Sequence, residues 1–424
     1  MSDRTVAEHL VGYLEQRGVE HVFGLCGHTN IAVLAAMAES NIDFITVRHE
    51  QIASHAADGY ARVQGRASVV LSHLSPGLTN CATGVANAAL DCIPMVVIAG
   101  DVPSHYYGKH PHQEVNLHAD AAQWEIYRPF VKRAWRVDRA ELMPEVLDKA
   151  FHLAESGQPG PVLINVPMDV FSAVIPSDGF DRVSQNARGF AAPSLDEDTA
   201  REIVTALAEA DAPVAYVGGG ILLAGASEEL RDFVDHMALP VAHSLMGKGA
   251  LRDDHPLVLG MTGFWGTSLT NQTCLDADVV FALGTRFKEA DCSSWYPGYT
   301  FNIGRPEDRT KVIHIDIEAQ EIGRNYPVEI GAVAELPFLL YSEVGREFGR
   351  EFVAQTQPRL DFRESSADRA LRNILRGKLC LDTRLENQRL RDLLIVFGLD
   401  PRGQVAPVGQ EQRPVDMEHV GREA

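Results

Sequence analysis

Apolar residues follow two alternating rhythms over the first part of this chain. Across residues 5–16, Val6, Leu10, Val11 and Leu14 return at helical spacing and predict an amphipathic helix. Short uninterrupted apolar runs follow: Val22-Phe23-Gly24-Leu25, Phe44-Ile45-Thr46-Val47, Ser68-Val69-Val70-Leu71, Met95-Val96-Val97-Ile98-Ala99 and Val162-Leu163-Ile164-Asn165-Val166. A strand covered on both faces has no polar side to show, so these runs predict buried strands of a parallel sheet with helices between them. Residues 171–193 are more polar and carry Pro176, Ser177, Asp178, Gly179 and Pro193, which predicts a linker. The alternation then resumes. Its strands are Val214-Ala215-Tyr216-Val217, Pro240-Val241-Ala242, Val279-Val280-Phe281-Ala282 and Val312-Ile313-His314-Ile315. The expected architecture is α/β, with two doubly wound parallel-sheet domains at 1–172 and 193–345 joined by a linker at 173–192. From 346 to 424 arginines punctuate a stretch with one clear apolar run, Leu393-Leu394-Ile395-Val396. That part is expected to be an irregular, partly disordered tail.

Charge and cysteine usage narrow the function. With 38 basic and 58 acidic side chains the formal net charge is -20, which argues against a general binder of nucleic acid or anionic membranes. No apolar run reaches the ~18 residues of a membrane span. None of the six cysteines forms a Cys-x-x-Cys pair, so zinc and dithiol chemistry are disfavoured. Scattered cysteines without an export signal point to a cytoplasmic protein.

Several segments could carry chemistry. Val47-Arg48-His49-Glu50-Gln51 precedes Asp58-Gly59-Tyr60-Ala61-Arg62, so a carboxylate sits where a strand gives way to a helix. By itself Glu50 reads as a complement to the helix dipole. Ser75-Pro76-Gly77-Leu78-Thr79-Asn80 reads as a loop ending in a helix cap. Gly24-Leu25-Cys26-Gly27-His28 leaves His28 either as a solvent-facing helix start or as a proton shuttle. His105, His110, His112 and His118 surround Gln113-Glu114, in a segment that is either a solvated loop or a source of metal ligands. Glycine clusters at Gly218-Gly219-Gly220, Met246-Gly247-Lys248 and Gly284-Thr285-Arg286, with Asp316 after a strand, could cradle a nucleotide, although none completes a dinucleotide fingerprint.

In this order and approximate spacing, the segments up to about residue 335 resemble the thiamine-diphosphate (ThDP) enzymes of the acetolactate-synthase type. The resemblance implies that Glu50 is the activating glutamate. In that family the glutamate bonds the pyrimidine ring nitrogen and favours the imino tautomer, whose exocyclic nitrogen removes the thiazolium proton. It further implies that Ser75, Pro76, Gly77, Thr79 and Asn80 border the pyrimidine, with Ser75 standing where the family has glycine. Gln113 would line the substrate pocket, with His112 in place of an aromatic residue, and Lys132 would lie beside it. His28 matches a variant seen in benzaldehyde lyase and some decarboxylases. Some relatives hold FAD in the central domain and others have lost it. Gly218, Gly219, Gly220, Met246, Gly247, Lys248, Gly284, Arg286 and Asp316 are the residues that would line such a flavin or nucleotide site.

The family's diphosphate-binding domain, which supplies the Mg2+ ligands through Gly-Asp-Gly and a later asparagine, has no counterpart among the motifs read here. The expectation is therefore a ThDP-dependent carboligase or decarboxylase acting on a 2-oxo acid, nearest to acetolactate synthase. It would be incomplete as an isolated chain, binding ThDP poorly, and would associate as a homo-oligomer or with a partner chain supplying the diphosphate half. The alternatives are a non-catalytic truncated relative, a benzaldehyde-lyase-like C–C lyase, and a plain nucleotide-binding α/β protein.

Overall fold

The computed structural model describes residues 4–116, 122–184, 193–303 and 310–336. The expected tail at 346–424 and His118 lie outside the described residues.

The first half builds one six-stranded sheet from His21–Gly24 (β1), Asp43–Thr46 (β2), Ser68–His73 (β3), Met95–Asp101 (β4), Arg133–Arg136 (β5) and Pro161–Pro167 (β6). The order is β2-β1-β3-β4-β6-β5 and every pairing is parallel. The predicted helix forms as Val6–Gln16 (α1), with Thr5 as its cap: the Thr5 hydroxyl accepts from Glu8 N–H, and the Glu8 carboxylate accepts from Thr5 N–H. Further helices are Ile31–Ala38 (α2), Glu50–Gln64 (α3), Leu74–Leu90 (α4) and Met143–Glu155 (α5). Strands β4 and β6 are buried along their whole length, which explains their unbroken apolar sequence. β5, Arg-Ala-Trp-Arg, lies at the sheet edge, and its polar composition hid it from the apolar pattern.

The second sheet is built from Pro213–Val217 (β7), Val241–His243 (β8), Val258–Met261 (β9), Val279–Leu283 (β10), Lys311–Asp316 (β11) and Ile330–Val333 (β12). Its order is β9-β8-β7-β10-β11-β12, again parallel throughout. The edge strands β9 and β12 were not legible as apolar runs; β9 is only half-buried and β12 alternates.

Two local expectations need correction. The polar stretch read as a linker is folded as far as Ser184. Val174–Ile175 pairs antiparallel with Arg4–Thr5, helix Asp178–Ser184 follows, and Phe180 stacks on His9 at 4.8 Å. Buried Ile175, Phe180 and Val183 supply the apolar anchors that its composition masked. The segment around Ser75–Asn80 is the opening of α4, not a loop. Pro76 is tolerated there because the first turn's N–H groups have no intrahelical partner.

The two sheets are tied together by charge. Asp58 is buried and accepts from Arg62 and from Asn87 Nδ2, joining α3 to α4. Arg62 also reaches Asp91 at 2.9 Å, and Lys288 from the second half reaches Asp91 at 3.1 Å. Burial opposes ionisation of Asp91, but Arg62 and Lys288 outweigh it and hold the carboxyl below its usual range. A depressed carboxyl stabilises the fold above the unfolded value of ~3.9 and loses that effect as pH falls through the folded value. Asp91→Asn is therefore expected to lower stability by about 1–2 kcal/mol near pH 7, the lower part of the range for bonds to charged groups because Lys288 is partly solvated. The deficit should vanish in acid below both carboxyl values. Urea midpoints at pH 7 and pH 3 check this; an equal deficit at both would count against it.

Candidate active site

In a doubly wound sheet, ligands collect outside the carboxyl ends of the strands, where the strand order reverses. In the first sheet that point lies between β1 and β3. β1 delivers Gly27 and His28, β2 delivers Glu50, β3 delivers His73 and α4, and the segment after β4 delivers Gln113. Sequence-distant residues therefore meet at one edge.

Glu50 is the first residue of α3, capped by His49, whose Nδ1 accepts from Gln51 N–H. The residue is 7% exposed. Asn80 Nδ2 donates to Glu50 Oε2 at 2.9 Å. The second oxygen, Oε1, faces the space beside Gly77: a Cβ on Gly77 would lie 3.5 Å from Glu50 Oε1 and 2.6 Å from Ser72 Oγ. Ser72 Oγ is itself buried and, beyond the neighbouring Cys81 thiol, has no hydrogen-bond partner among the described residues. A buried carboxylate with one oxygen unclaimed among the described residues and a buried serine hydroxyl beside it, both packed closely by Gly77, form a polar cradle, since buried polar atoms otherwise find partners. The Cys81 thiol donates to the main-chain carbonyl of Glu50 at 3.4 Å, and burial pushes that thiol up to about 12, so it is no nucleophile.

A second cluster adjoins it. His28 and His73 meet edge-on with ring centroids 4.7 Å apart. His73 Nδ1 lies 2.8 Å from Thr29 Oγ1, and its Nε2 lies 3.3 Å from Gln113 Oε1. Gly27 leaves the room for this ring, because a Cβ there would lie 2.0 Å from it. Burial holds His73 below the ordinary histidine range and His28 pushes the same way, while the Gln113 bond and the Glu50 charge oppose them. A half-buried imidazole that is neutral near pH 7 can accept a proton and pass it on. Leu74, between His73 and Ser75, is fully buried at φ +51, a conformation that non-glycine residues seldom adopt. This turn aims His73 and α4 at the same edge.

Glu50, Gly77, Asn80, His28 and Gln113 are thus brought together. Ser75 is buried behind them, while Pro76 and Thr79 are exposed, with the Thr79 hydroxyl returned to the carbonyls of Ser75 and Pro76. His73 escaped the sequence reading because it follows the apolar run of its strand without belonging to any motif; its only signal was two residues' distance from Ser75. Lys132 does not face the Glu50 cluster. Its Nζ donates to the carbonyls of Leu153, Ser156 and Gln158 and caps α5. Among the described residues no three His, Cys, Asp or Glu side chains converge as a metal site.

The second sheet reverses between β7 and β10, and a cavity of about 340 Å³ opens there toward the first half. Gly218, Gly219, Gly220, Met246, Gly284, Arg286 and Asp316 line it. Gly247 does not; a Cβ on it would meet Val217 O at 2.3 Å, so it is a packing glycine. Lys248 is held by Asp253 at 2.6 Å. The amides of Gly218 and Gly220 donate to the carbonyls of Leu283 and Gly284, so the turn is set by the sheet. Arg286 donates to Leu90 O. Burial raises the Asp316 carboxyl to about 6, opposed by its bond from Glu318 N–H.

Comparison with known proteins agrees with this arrangement. Residues 4–122 match the thiamine pyrophosphate enzyme N-terminal TPP-binding domain, and residues 200–341 match the central domain of the same enzymes. The chain is 37% identical over 332 residues to the acetolactate synthase isozyme 3 large subunit of Escherichia coli, covering 78% of this chain and 55% of that one. It is 36% identical over 354 residues to an acetolactate synthase of Arthrospira platensis, covering 81% and 58%. It is 34% identical over 331 residues to a probable acetolactate synthase large subunit of Methanocaldococcus jannaschii, covering 78% and 54%. The chain thus spans little more than half the length of these relatives.

Proposed function

This chain belongs to the thiamine pyrophosphate enzyme family, and from that premise we propose that it supplies the pyrimidine side of an acetolactate-synthase-type active site acting on a 2-oxo acid. The observation that carries this reading is the Glu50 cradle: a buried carboxylate with one oxygen held by Asn80 and the other beside Gly77 and the buried Ser72 hydroxyl. When bound, thiamine diphosphate supplies the carbanion chemistry. Glu50 would hold a proton at the pyrimidine ring nitrogen, and Asn80 would fix the carboxylate's orientation. His73 and His28 would exchange a proton with the donor's oxygen, and Gln113 would set their environment. The diphosphate and its Mg2+ would be held by another domain or a partner subunit, so a homo-oligomer or mixed assembly is the working form. The cavity beside Gly218 and Asp316 lies at the low end of the ~300–1,000 Å³ usual for small-molecule sites. It would take the nucleoside end of a dinucleotide such as FAD, with Asp316 accepting from ribose hydroxyls.

The test is complementation. The chain is mixed with an acetolactate synthase large subunit whose own activating glutamate is disabled, and pyruvate consumption is followed. Activity is expected with the wild-type chain and not with Glu50→Gln. Activity from neither would sink the reading, and activity from both would remove Glu50 from it.

A further inference from the structure

A buried polar chain runs behind this site, and its direction is dictated by chemistry. Asp101 ends β4 and is fully buried. Its ionised carboxylate can only accept, and it takes Val102 N–H at 2.8 Å and Asn165 Nδ2 at 2.6 Å. Asn165 therefore presents Oδ1 to the next residue, and Gln123 Nε2 donates to it at 2.6 Å. Gln123 in turn presents Oε1, which accepts the Ser75 hydroxyl at 3.0 Å. With its proton so placed, Ser75 Oγ accepts from Val115 N–H at 2.8 Å. Each link is oriented by the one before it, and in a buried setting such links reinforce one another.

The far end of this chain meets the site. Val115 lies two residues beyond Gln113, whose backbone sits at φ +64. A left-handed non-glycine residue on an exposed turn persists only when its surroundings hold it. The Gln113 side chain is the one that touches His73. A glycine at 75, as in the family pattern, could neither accept from Val115 nor donate to Gln123.

We infer that Ser75 is a positioning residue: by accepting from Val115 N–H it anchors the 113–115 turn to the Asp101 chain and so holds Gln113 against His73. Its consequence for turnover rests on the proposed ThDP reading, but the wiring is a property of the free chain and is tested there. His73 faces His28, Thr29, Gln113 and the charge of Glu50, so its ring reports on this contact.

The experiment titrates the His73 ring by NMR in the full chain with isotope-labelled histidine, for wild type, Ser75→Ala, Gln113→Ala and the double variant. Both single variants are expected to move the His73 midpoint in the same direction by roughly 0.5–1 pH unit, the size of one lost hydrogen bond. The double variant should move it no further than the larger single change, because both act through one contact. A wild-type midpoint in Ser75→Ala, or additive shifts in the double variant, would overturn the assignment. Unmoved signals from buried His9 and His314 certify an intact fold; if they move, Ser75→Gly gives the same test with the smallest side chain. A cycle that behaves as expected in a chain that fails complementation keeps the positioning role and sinks only the ThDP reading.

Discussion

Glu50→Gln is expected to slow exchange of the thiazolium C2 proton by roughly 10²–10⁴-fold, in any assembly of this chain that binds thiamine diphosphate. The carboxyl must share a proton with a ring nitrogen, and an amide of the same shape cannot titrate. The substitution is otherwise mild. Gln can still accept from Asn80 through its carbonyl oxygen, and α3 keeps its cap from His49, so the fold should survive. Quenched-flow deuterium exchange on the bound cofactor reads the effect directly, separately from later steps. Wild-type exchange in the variant would leave Glu50 with no more than the role of complementing a helix terminus.

Asn165→Leu is expected to cost about 3–5 kcal/mol of stability at pH 7.5, because it removes the middle of the buried chain while keeping only the branched outline of the side chain. Asp101 would keep only Val102 N–H, and Gln123 would keep its weaker bond to Gly100 O at 3.3 Å. The pH dependence has a definite sign. Burial raises the Asp101 carboxyl to about 6, with the bonds from Asn165 and Val102 opposing it and the charge of Glu114 adding to it. The unfolded value is ~3.9. A carboxyl raised on folding binds its proton more tightly in the native state, so it supports stability at low pH and loses that support as pH climbs from about 4 through about 6. Without Asn165 the folded value climbs further. The deficit of the variant should therefore be smaller at pH 4.5 than at pH 7.5, as read from urea midpoints; equal deficits would mean that Asp101 is not the group left unpaired.

The candidate site was legible in part, and the residues show why. Glu50 and Asn80 belong to segments whose order along the chain carries information, and both stand in the cradle. Asp58 and Arg62 belong to an equally regular segment but serve to join α3, α4 and the second half through Asp91. Spacing in sequence cannot separate a residue that faces a ligand from one that faces the neighbouring helix. Gly77 and Gly247 make the same point: both are packing glycines, one against Ser72 and Glu50 in the candidate site, the other against β7.

The sequence by itself determined the layered α/β architecture. Strands buried on both faces must be apolar throughout, and that composition is visible without any partner. It also placed helix α1, from the spacing of Val6, Leu10, Val11 and Leu14, though not the Thr5–Glu8 cap that opens it. It could not determine the edge strands β5, β9 and β12, whose outer faces tolerate polar residues such as those of β5. Nor could it determine that Ser75 lies in the first turn of a helix, because Ser-Pro-Gly suits a turn and a helix start equally. Only the tertiary structure decided the pairing of His28 with His73, and the chain from Asp101 through Asn165 and Gln123 to Ser75 and Val115. These contacts join residues tens of positions apart, and each residue alone is an ordinary polar side chain. They become a directed network only when burial removes water as the competing partner.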